Sequence, residues 1–247
     1  LRGTVHPFNY NNIAELEQII NTYDVGVIKM EVSRNMEPDK DFLSSVRKIA
    51  SEKNIVLIFD ECTSGFRQAY GGLHKIHGID PDMAIFGKAL GNGYAITAVI
   101  GKREIMEAAQ RTFISSTFWT ERIGPSAALA TLDVMYELKS WETITETGKK
   151  IKQRWSDLAD KNEIKIIQWG LPALSGFSFD SEKNLAYKTY ITQEMLKKGL
   201  LAGNSIYVSI CHTQDILENY FEQLDKLFSD IKKFESGEDI NKYLEGP

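Results

Sequence analysis

The sequence predicts an α/β fold with a mostly parallel sheet, followed by a smaller α+β segment. In the first half, short apolar and β-branched strands alternate with helices, a pattern typical of parallel sheets. In the second half, two strands separated by the turn signal Gly-Leu-Pro stand between helices, which is typical of an α+β arrangement. At 247 residues the chain is long enough to bury a sizeable core.

Hydrophobic periodicity defines the elements of the first half. Ile13, Leu16 and Ile20 have helical spacing, and Pro38 suits the first turn of a second helix. The segment that contains His74 and His77 is expected to be a solvated loop. In order, the predicted elements are a helix over 12–23, a strand over 25–32, a helix over 38–53, strands over 55–60, 83–87 and 97–101, and a helix over 103–110.

The second half begins with a long helical stretch, predicted from Ile123 to Lys161 with breaks near Trp141 and Gly148. After it, the predicted elements are strands over 165–169 and 173–179, a helix over 183–198, a strand over 206–211 and an amphipathic helix over 213–235. We place a domain boundary near residue 140, so that residues 1–140 and 141–247 belong to different domains.

Composition excludes several classes of function. The net charge is −5 and no stretch is rich in Lys or Arg, which disfavours a nucleic-acid interface. No apolar run approaches the roughly 20 residues of a membrane helix. Cys62 and Cys211 form no disulfide or metal pattern, which suits a reducing cytoplasm. Because the chain begins at Leu1 rather than Met and ends in LEGP, we expect it to be a piece of a longer protein.

Two adjacent carboxylates, Asp60 and Glu61, follow the apolar strand Ile55–Phe59. In parallel α/β sheets ligands bind at the carboxyl ends of strands, which makes Asp60 a candidate binding residue. A helix cap, or a structural ion pair with Arg67 or Lys88, is the more common reason for such a residue. Glu61 is expected to turn away, into the polar surroundings of the following loop.

Lys88 is the second candidate, because it follows an apolar strand and is flanked by Gly87, Gly91 and Gly93. Glycines allow a backbone to approach a ligand closely. A lysine in partly apolar surroundings has its ammonium form disfavoured and can act as a nucleophile toward an aldehyde. The alternative is an ordinary surface lysine at a strand end. A phosphate-binding P-loop is excluded, since Ala89 stands where that motif needs Ser or Thr.

Three hydroxyl residues, Ser115 to Thr117, precede a predicted helix start and could bind a phosphate; Thr120 as an ordinary N-cap is the alternative. His74 and His77 lack a third ligand, so we expect no metal site. Together, Asp60, Lys88 and the hydroxyls supply the three groups that pyridoxal phosphate (PLP) requires. These are an anion for its pyridine nitrogen, a lysine for its aldehyde and donors for its phosphate.

Two stretches carry a family resemblance: FDECTSGFRQAYGG (59–72) and GIDPDMAIFGKALGNGYAITAVIG (78–101). With the 28-residue spacing between Asp60 and Lys88, they resemble the class III aminotransferases of PLP fold type I. Within that family the pattern is close to the glutamate-1-semialdehyde aminomutases, and VSICHTQDI (208–216) extends the resemblance toward the C-terminus. It implies a fold type I chain in which residues 1–140 are part of the large PLP-binding domain and residues 141–247 form the small C-terminal domain.

The resemblance also implies roles for individual residues. Asp60 would pair with the protonated pyridine nitrogen of PLP, and Lys88 would hold the cofactor as a Schiff base and shuttle a proton. Cys62 would pack on one face of the ring. Thr117 would reach the phosphate of the neighbouring subunit's cofactor, which implies a homodimer with shared active sites. Arg122 would lie near the substrate and meet a carboxylate or phosphate, although a surface arginine at a helix start explains it equally.

Departures from the family pattern keep the function open. Glu31 matches the glutamate of a family Glu-Pro pair, but Val32 replaces the proline; Arg67 is expected to lie behind the site, paired with an acid. The resemblance implies PLP-dependent amino transfer between a small-molecule donor and a keto or aldehyde acceptor. Intramolecular transfer of the aminomutase type is the alternative, although a glutamate of the aminomutases is missing before residue 208. An inactive interaction domain is the alternative from another class.

Overall fold

The computed structural model describes residues 2–114 and 120–246. Within these residues the chain forms two compact units, Leu1–Trp141 and Glu142–Pro247. Thr117 and the other hydroxyl residues of the predicted phosphate site lie outside the described residues. None of the helices in the described part of the chain combines the length and apolar character that crossing a membrane requires.

The first unit is built on a four-stranded sheet in the order β1-β2-β3-β4. The strands β1, β2 and β3 run parallel, and β4 is antiparallel to β3, which confirms the predicted mostly parallel sheet. Its elements are α1 (Ile13–Thr22), β1 (Val27–Met30), α2 (Phe42–Glu52), β2 (Val56–Asp60), α3 (His74–His77), β3 (Met83–Phe86), β4 (Ala98–Gly101), α4 (Arg103–Met106) and α5 (Ile123–Leu138), with 3-10 helices at Lys88–Leu90 and Glu107–Arg111.

Alternation along β2 decides which side chains the sheet buries. Leu57 and Phe59 are fully buried on one face, and β2 packs against α2. Ile58 and Asp60 point to the opposite face, since successive strand residues alternate in direction, and both are half-buried. Lys29 of β1 stands opposite Ile58 in the register and therefore shares the face of Asp60. This shared face is what brings polar groups together at the end of the sheet.

The opposite end of the sheet is fixed by Asp82, just before β3. Its carboxylate accepts the N–H of Leu57 at 2.8 Å and pairs with Arg47 at 2.9 Å and Lys102 at 2.7 Å. Burial alone would raise the pKa of Asp82, but these hydrogen bonds and charges hold it below its ordinary value. Asp82 therefore connects β2, α2 and the residue that follows β4. It lies at the opposite end of the sheet from Asp60 and Lys88, which stand at the carboxyl ends of β2 and β3.

The predicted start of the second helix at Pro38 is wrong, since α2 begins at Phe42. The side chain of Asn11 donates to the carbonyl of Glu37 at 3.1 Å and accepts the N–H of Asp39 at 3.0 Å. The N–H of Phe42 then donates to the carbonyl of Asp39. These contacts with the N-terminal segment hold residues 37–39 in a turn, a tertiary effect that the proline signal does not contain.

The second unit has an antiparallel sheet in the order β5-β6-β7. Helices pack against it around the fully buried Trp155, Phe177 and Phe228, and the indole N–H of Trp155 donates to the hydroxyl of Tyr220 at 3.0 Å. The elements that follow α5 are α6 (Ser140–Lys161), β5 (Ile166–Trp169), β6 (Leu174–Phe179), α7 (Asn184–Lys197), β7 (Ser205–Tyr207) and α8 (Gln214–Glu235), with a 3-10 helix at Ile240–Lys242.

The long helical stretch is interrupted once between α5 and α6, at Lys139, whose φ of 46° is left-handed. The second predicted break, at Gly148, is wrong, because α6 continues through it. A Cβ at position 148 would lie 2.0 Å from the carbonyl oxygen of Pro172. Glycine is therefore used here for close packing rather than to end the helix. Other elements are also shorter than predicted, most of all the strands over 25–32 and 206–211 and the helix over 103–110.

Candidate active site

The candidate site lies where the carboxyl ends of the parallel strands β2 and β3 meet. Asp60 is the last residue of β2, and its partner in the register is Ile85 of β3. Lys88 follows two residues after β3 ends, in a 3-10 turn. Because neighbouring parallel strands end at the same sheet edge, the fold places the carboxylate and the lysine on the same side of the molecule.

The carboxylate of Asp60 is held by two donors and remains 24% exposed. The ammonium of Lys29 lies 2.8 Å from Oδ2, and the N–H of Cys62 donates to Oδ1 at 3.1 Å. Burial raises the pKa of Asp60, but the hydrogen bonds from Lys29 and Cys62 and the charges of Lys29 and Lys88 bring it below its ordinary value. Asp60 is therefore an ionised carboxylate at the edge of the sheet. The charge of Lys88 is close enough to contribute to the lowering of its pKa.

Lys29 is a residue of the site that sequence reasoning missed. The alternative interpretation of Asp60 as half of an ion pair names Arg67 or Lys88 as its partner, whereas the structure places Lys29 there. The partner stands on a different strand, so identifying it requires the register of β1 against β2. The sequence does carry one signal, a charged residue inside a strand whose neighbours Ile28 and Met30 are buried.

Lys88 is exposed, and its ammonium donates to the hydroxyl of Thr63 at 2.8 Å. The expectation of partly apolar surroundings for this side chain is therefore wrong for the residues that the structure describes. Its backbone has a φ of 47°, in the left-handed region that non-glycine residues seldom occupy. Such conformations concentrate at functional sites, where the surrounding structure maintains them. The sharp turn after β3 thus presents the amine of Lys88 to Thr63.

Cys62 packs closely against Gly87, the residue that precedes Lys88. A Cβ at position 87 would lie 2.7 Å from the sulfur of Cys62, so only glycine allows the turn after β3 to approach this side chain. Cys62 is half-buried and its thiol is free. The small, polarizable sulfur of Cys62 thus lies against the turn that carries Lys88.

Glu61 turns into the loop that follows β2 and meets polar partners there, as expected, but it is completely buried. One carboxylate oxygen accepts the N–H of His74 at 2.9 Å and lies 2.8 Å from its ring Nδ1, and the other accepts the hydroxyl of Ser64 at 2.5 Å. Burial raises the pKa of Glu61, but these hydrogen bonds hold it below its ordinary value. Glu61 therefore fixes the loop that follows β2, while Asp60 stays partly open.

The same contacts correct the prediction for the segment of His74 and His77. It forms the short helix α3, and His74 is buried against Glu61 rather than solvated. Across the described residues, no group of three or more His, Cys, Asp or Glu side chains could hold a metal ion.

Thr117 and Arg122 are the two further predicted site residues. Thr117 lies outside the described residues. Arg122 is exposed immediately before α5, and no hydrogen bond or ion pair between described residues joins it to either one. The carboxylate of Glu121, rather than Thr120, caps the start of α5, since it accepts the N–H groups of Ile123 and Gly124.

The donor set fits the ring and the aldehyde of PLP. Asp60 offers an ionised carboxylate of the kind that a protonated ring nitrogen requires, and Lys88 offers an amine in an exposed turn. The side chain of Cys62 packs against Gly87, next to Lys88. The predicted phosphate donors belong to the segment outside the described residues, so the fit concerns the ring and the aldehyde.

Comparison with known proteins gives consistent results. The family model for aminotransferase class-III matches residues 35–234. The chain is 45% identical over 247 residues to the glutamate-1-semialdehyde 2,1-aminomutase of Nitrosopumilus maritimus, covering 90% of this chain and 58% of that protein. It is 28% identical over 243 residues to the 3-aminobutyryl-CoA aminotransferase of Cloacimonas acidaminovorans, covering 93% of this chain and 59% of that protein.

Solved structures show the same fold. The PLP internal aldimine form of the FumI protein of Sphingopyxis sp. MTA144 superposes with a TM-score of 0.86 at 22% identity, covering 96% of this chain and 59% of that one. At this identity the likeness concerns the fold, and it confirms the predicted fold type. The chain spans 58–59% of the length of the two curated relatives described above.

Proposed function

Because the chain belongs to the class-III aminotransferase family, we propose that this protein is a PLP-dependent aminotransferase. It would move an amino group between a small-molecule donor and a keto or aldehyde acceptor. One observation carries the proposal. The fold places an ionised carboxylate, Asp60, and an exposed amine, Lys88, at the carboxyl ends of two adjacent parallel strands.

Asp60 would hold the ring nitrogen of the cofactor in its protonated form. A carboxylate stabilises a cation within hydrogen-bond distance, and the pKa of Asp60, lowered by Lys29 and Cys62 despite burial, keeps it ionised at neutral pH. When bound, PLP supplies an electron sink that stabilises negative charge at the substrate carbon. Asp60 would strengthen that sink by keeping the ring nitrogen positive.

Lys88 would bind the aldehyde carbon of the cofactor through Nζ. Nζ would also be the group that accepts and returns the proton at the substrate carbon. The hydroxyl of Thr63, 2.8 Å from Nζ, holds the amine at the turn after β3. The left-handed backbone at Lys88 fixes the direction from which the amine approaches.

The remaining predicted residues have supporting roles in this proposal. Cys62, packed on Gly87 beside Asp60, would lie against one face of the ring. Thr117 would donate to the phosphate of the cofactor in the neighbouring subunit. Arg122, exposed before α5, would meet a carboxylate or phosphate on the substrate. The thiols of Cys62 and Cys211 are free, which supports a reducing compartment such as the cytoplasm.

We further propose that the protein is a homodimer with shared active sites. The helix α5 packs Ala128 into the core of the first unit and leaves large apolar side chains exposed elsewhere on its surface, among them Leu129 and Val134. Contiguous exposed apolar surface is typical of an interface with a partner. The predicted role of Thr117 toward a neighbouring cofactor requires such a second copy.

An intramolecular aminomutase is the second candidate, supported by the 45% identity to the aminomutase of Nitrosopumilus maritimus. The two activities differ in one measurable requirement. A transaminase needs a separate amino acceptor to complete its cycle, whereas an aminomutase converts a single amino aldehyde substrate on its own. Turnover without any added acceptor would overturn the first candidate in favour of the second.

The proposed function is tested by PLP binding to the intact protein and to its Lys88→Ala variant. We expect the wild type to bind PLP with the visible absorbance of a lysine-bound cofactor, and Lys88→Ala to lose that absorbance and the turnover of any amino donor. The matched control is Lys48→Ala, which removes an exposed lysine that lies on α2, away from the turn of Lys88. It should behave as wild type. Failure of the wild type to bind PLP would favour an inactive interaction domain.

A further inference from the structure

The ion pair between Lys29 and Asp60 bears directly on the proposed cofactor site. We propose that Lys29 is a positioning residue that weakens the hold of Asp60 on the ring nitrogen of the cofactor, so that PLP is bound less tightly and released faster. This inference rests on the proposed function. Its basis is geometric, since the ammonium of Lys29 lies 2.8 Å from Oδ2 of the carboxylate that would face the ring.

The strand geometry explains why Lys29 reaches this position. Parallel pairing places Lys29 opposite Ile58, so its side chain leaves the sheet on the same face as Asp60, two residues further along β2. Its neighbours Ile28 and Met30 point the other way and are buried. The side chain of Lys29 is 55% exposed and extends along the open face to the end of β2.

The carboxylate has one donor on each oxygen in this arrangement. Oδ1 accepts the N–H of Cys62, and Oδ2 faces the ammonium of Lys29. The charged groups around Asp60 are thus Lys29 from β1 and Lys88 from the turn after β3. A protonated ring nitrogen would be a further cation on the same carboxylate. Like charges within a few ångströms disfavour each other, so Lys29 reduces the preference of Asp60 for that cation.

A purely structural role explains this pair poorly. Exposed ion pairs contribute little to folding, and Lys29 belongs to a strand whose packing comes from Ile28 and Met30 on the other face. Replacing the ammonium by an apolar group of similar length should therefore leave the fold intact. Removing the ammonium of Lys29 should instead change the binding of a ligand that contacts the carboxylate of Asp60.

The test compares the intact protein with Lys29→Met, with Lys29→Arg, which keeps the cation, and with Lys48→Met as a matched control on α2. Two quantities are measured for each variant. One is the rate at which bound PLP is released to a competing PLP-binding protein. The other is the ¹⁵N resonance of the ring nitrogen in labelled PLP, which reports its protonation and is insensitive to small changes in fold stability.

We expect Lys29→Met to slow PLP release by about two- to fivefold and to move the ¹⁵N resonance toward the protonated value. Lys29→Arg and Lys48→Met should match wild type. An unchanged or faster release in Lys29→Met, or an unchanged resonance, would overturn the role of Lys29 while leaving the proposed function standing. If wild type binds no PLP, or if Lys88→Ala binds it with unchanged absorbance, the proposed function and this inference both fail.

Discussion

At the scale of single residues, hydrogen bonding separates the two carboxylates at the end of β2. Glu61 is fully buried and receives donors from Ser64 and His74. Asp60 is 24% exposed and faces Lys29. A carboxylate saturated by local donors serves the loop that it holds, whereas one at the sheet edge can still accept a ligand. Adjacent residues of the same chemical type therefore have different capacities for function.

The buried pair of Glu61 and His74 predicts a dependence of stability on pH. The pKa of Glu61 is lower in the folded protein than in the unfolded chain, because hydrogen bonds to the carboxylate outweigh the effect of burial. The contribution of Glu61 to the free energy of unfolding is therefore complete at pH values above its pKa in the unfolded chain. It is lost as the pH falls through the pKa of Glu61 in the folded protein. We expect Glu61→Gln to cost about 1–3 kcal/mol at neutral pH and to flatten the loss of stability in acid.

Urea denaturation between about pH 7 and about pH 4 measures this effect. The control is Glu52→Gln, which replaces a glutamate that is exposed on α2 and whose nearest cation, Lys48, lies 3.9 Å away. That variant should follow the wild-type curve throughout. The role assigned to Glu61 would be wrong if Glu61→Gln lost no more stability at neutral pH than Glu52→Gln did.

The position of a residue could be predicted from the sequence where it depends only on the strand that precedes or contains the residue. Asp60 ends β2 and Lys88 follows β3 as predicted from the apolar runs before them. Prediction from the sequence failed for Lys29 and His74, because their positions depend on the strand register and on the path of a loop. Neither quantity is encoded in local periodicity. The assignment of Asp60 and Lys88 to a cofactor stays a prediction.

At the scale of elements, close packing overrides local propensity in α6. Glycine in a helix interior costs stability relative to alanine, which is why the sequence predicts a break at Gly148. The helix nevertheless continues, and it lies so near the carbonyl of Pro172 that a Cβ at position 148 would stand 2.0 Å from the oxygen. The backbone of the next segment, rather than the propensity of the residue, decides the choice of glycine.

This geometry predicts the sign of a substitution. By helix propensity alone, Gly148→Ala should stabilise the protein by about 1 kcal/mol. We expect the reverse, a loss of about 1–3 kcal/mol, because the added methyl group meets backbone atoms of Pro172 that cannot move independently. Thermal or urea unfolding checks the sign.

Gly26→Ala is the control for that experiment, since a Cβ there would have no atom within 4 Å. It should change stability by a few tenths of a kcal/mol at most, or raise it slightly by restricting the unfolded chain. A Gly148→Ala protein that is as stable as wild type would show that α6 and the segment of Pro172 are further apart than the structure places them.

The order and type of most elements could be predicted, since the apolar patterns that define β1, β2, β3 and α8 reflect burial on known faces. The boundaries that failed have tertiary causes. The start of α2 is delayed to Phe42 because Asn11, from the N-terminal segment, binds the backbone of residues 37–39. A contact across about 26 residues of chain has no signature in a local window.

At the scale of the whole molecule, the surface of α5 raises the question of assembly. The helix is apolar on more than one side: Ala128 is buried within the first unit, whereas Leu129 is 65% exposed and Val134 is 50% exposed. A helix that packs on one side is expected to be polar on the other. We attribute the second apolar side to contact with another copy of the protein, in line with the proposed homodimer.

This attribution predicts that Leu129→Glu weakens the proposed dimer of the intact protein by at least about tenfold in dissociation constant, because a charge replaces a leucine that the interface would bury. If the active sites are shared, PLP affinity should fall together with the dimer. Leu185→Glu is the matched control, since that leucine is 75% exposed on α7 in the second unit. Analytical ultracentrifugation over a concentration series gives the dissociation constants. A wild type that is monomeric at all concentrations, or equal effects of the two substitutions, would contradict an interface on α5 and leave its apolar surface to a different contact.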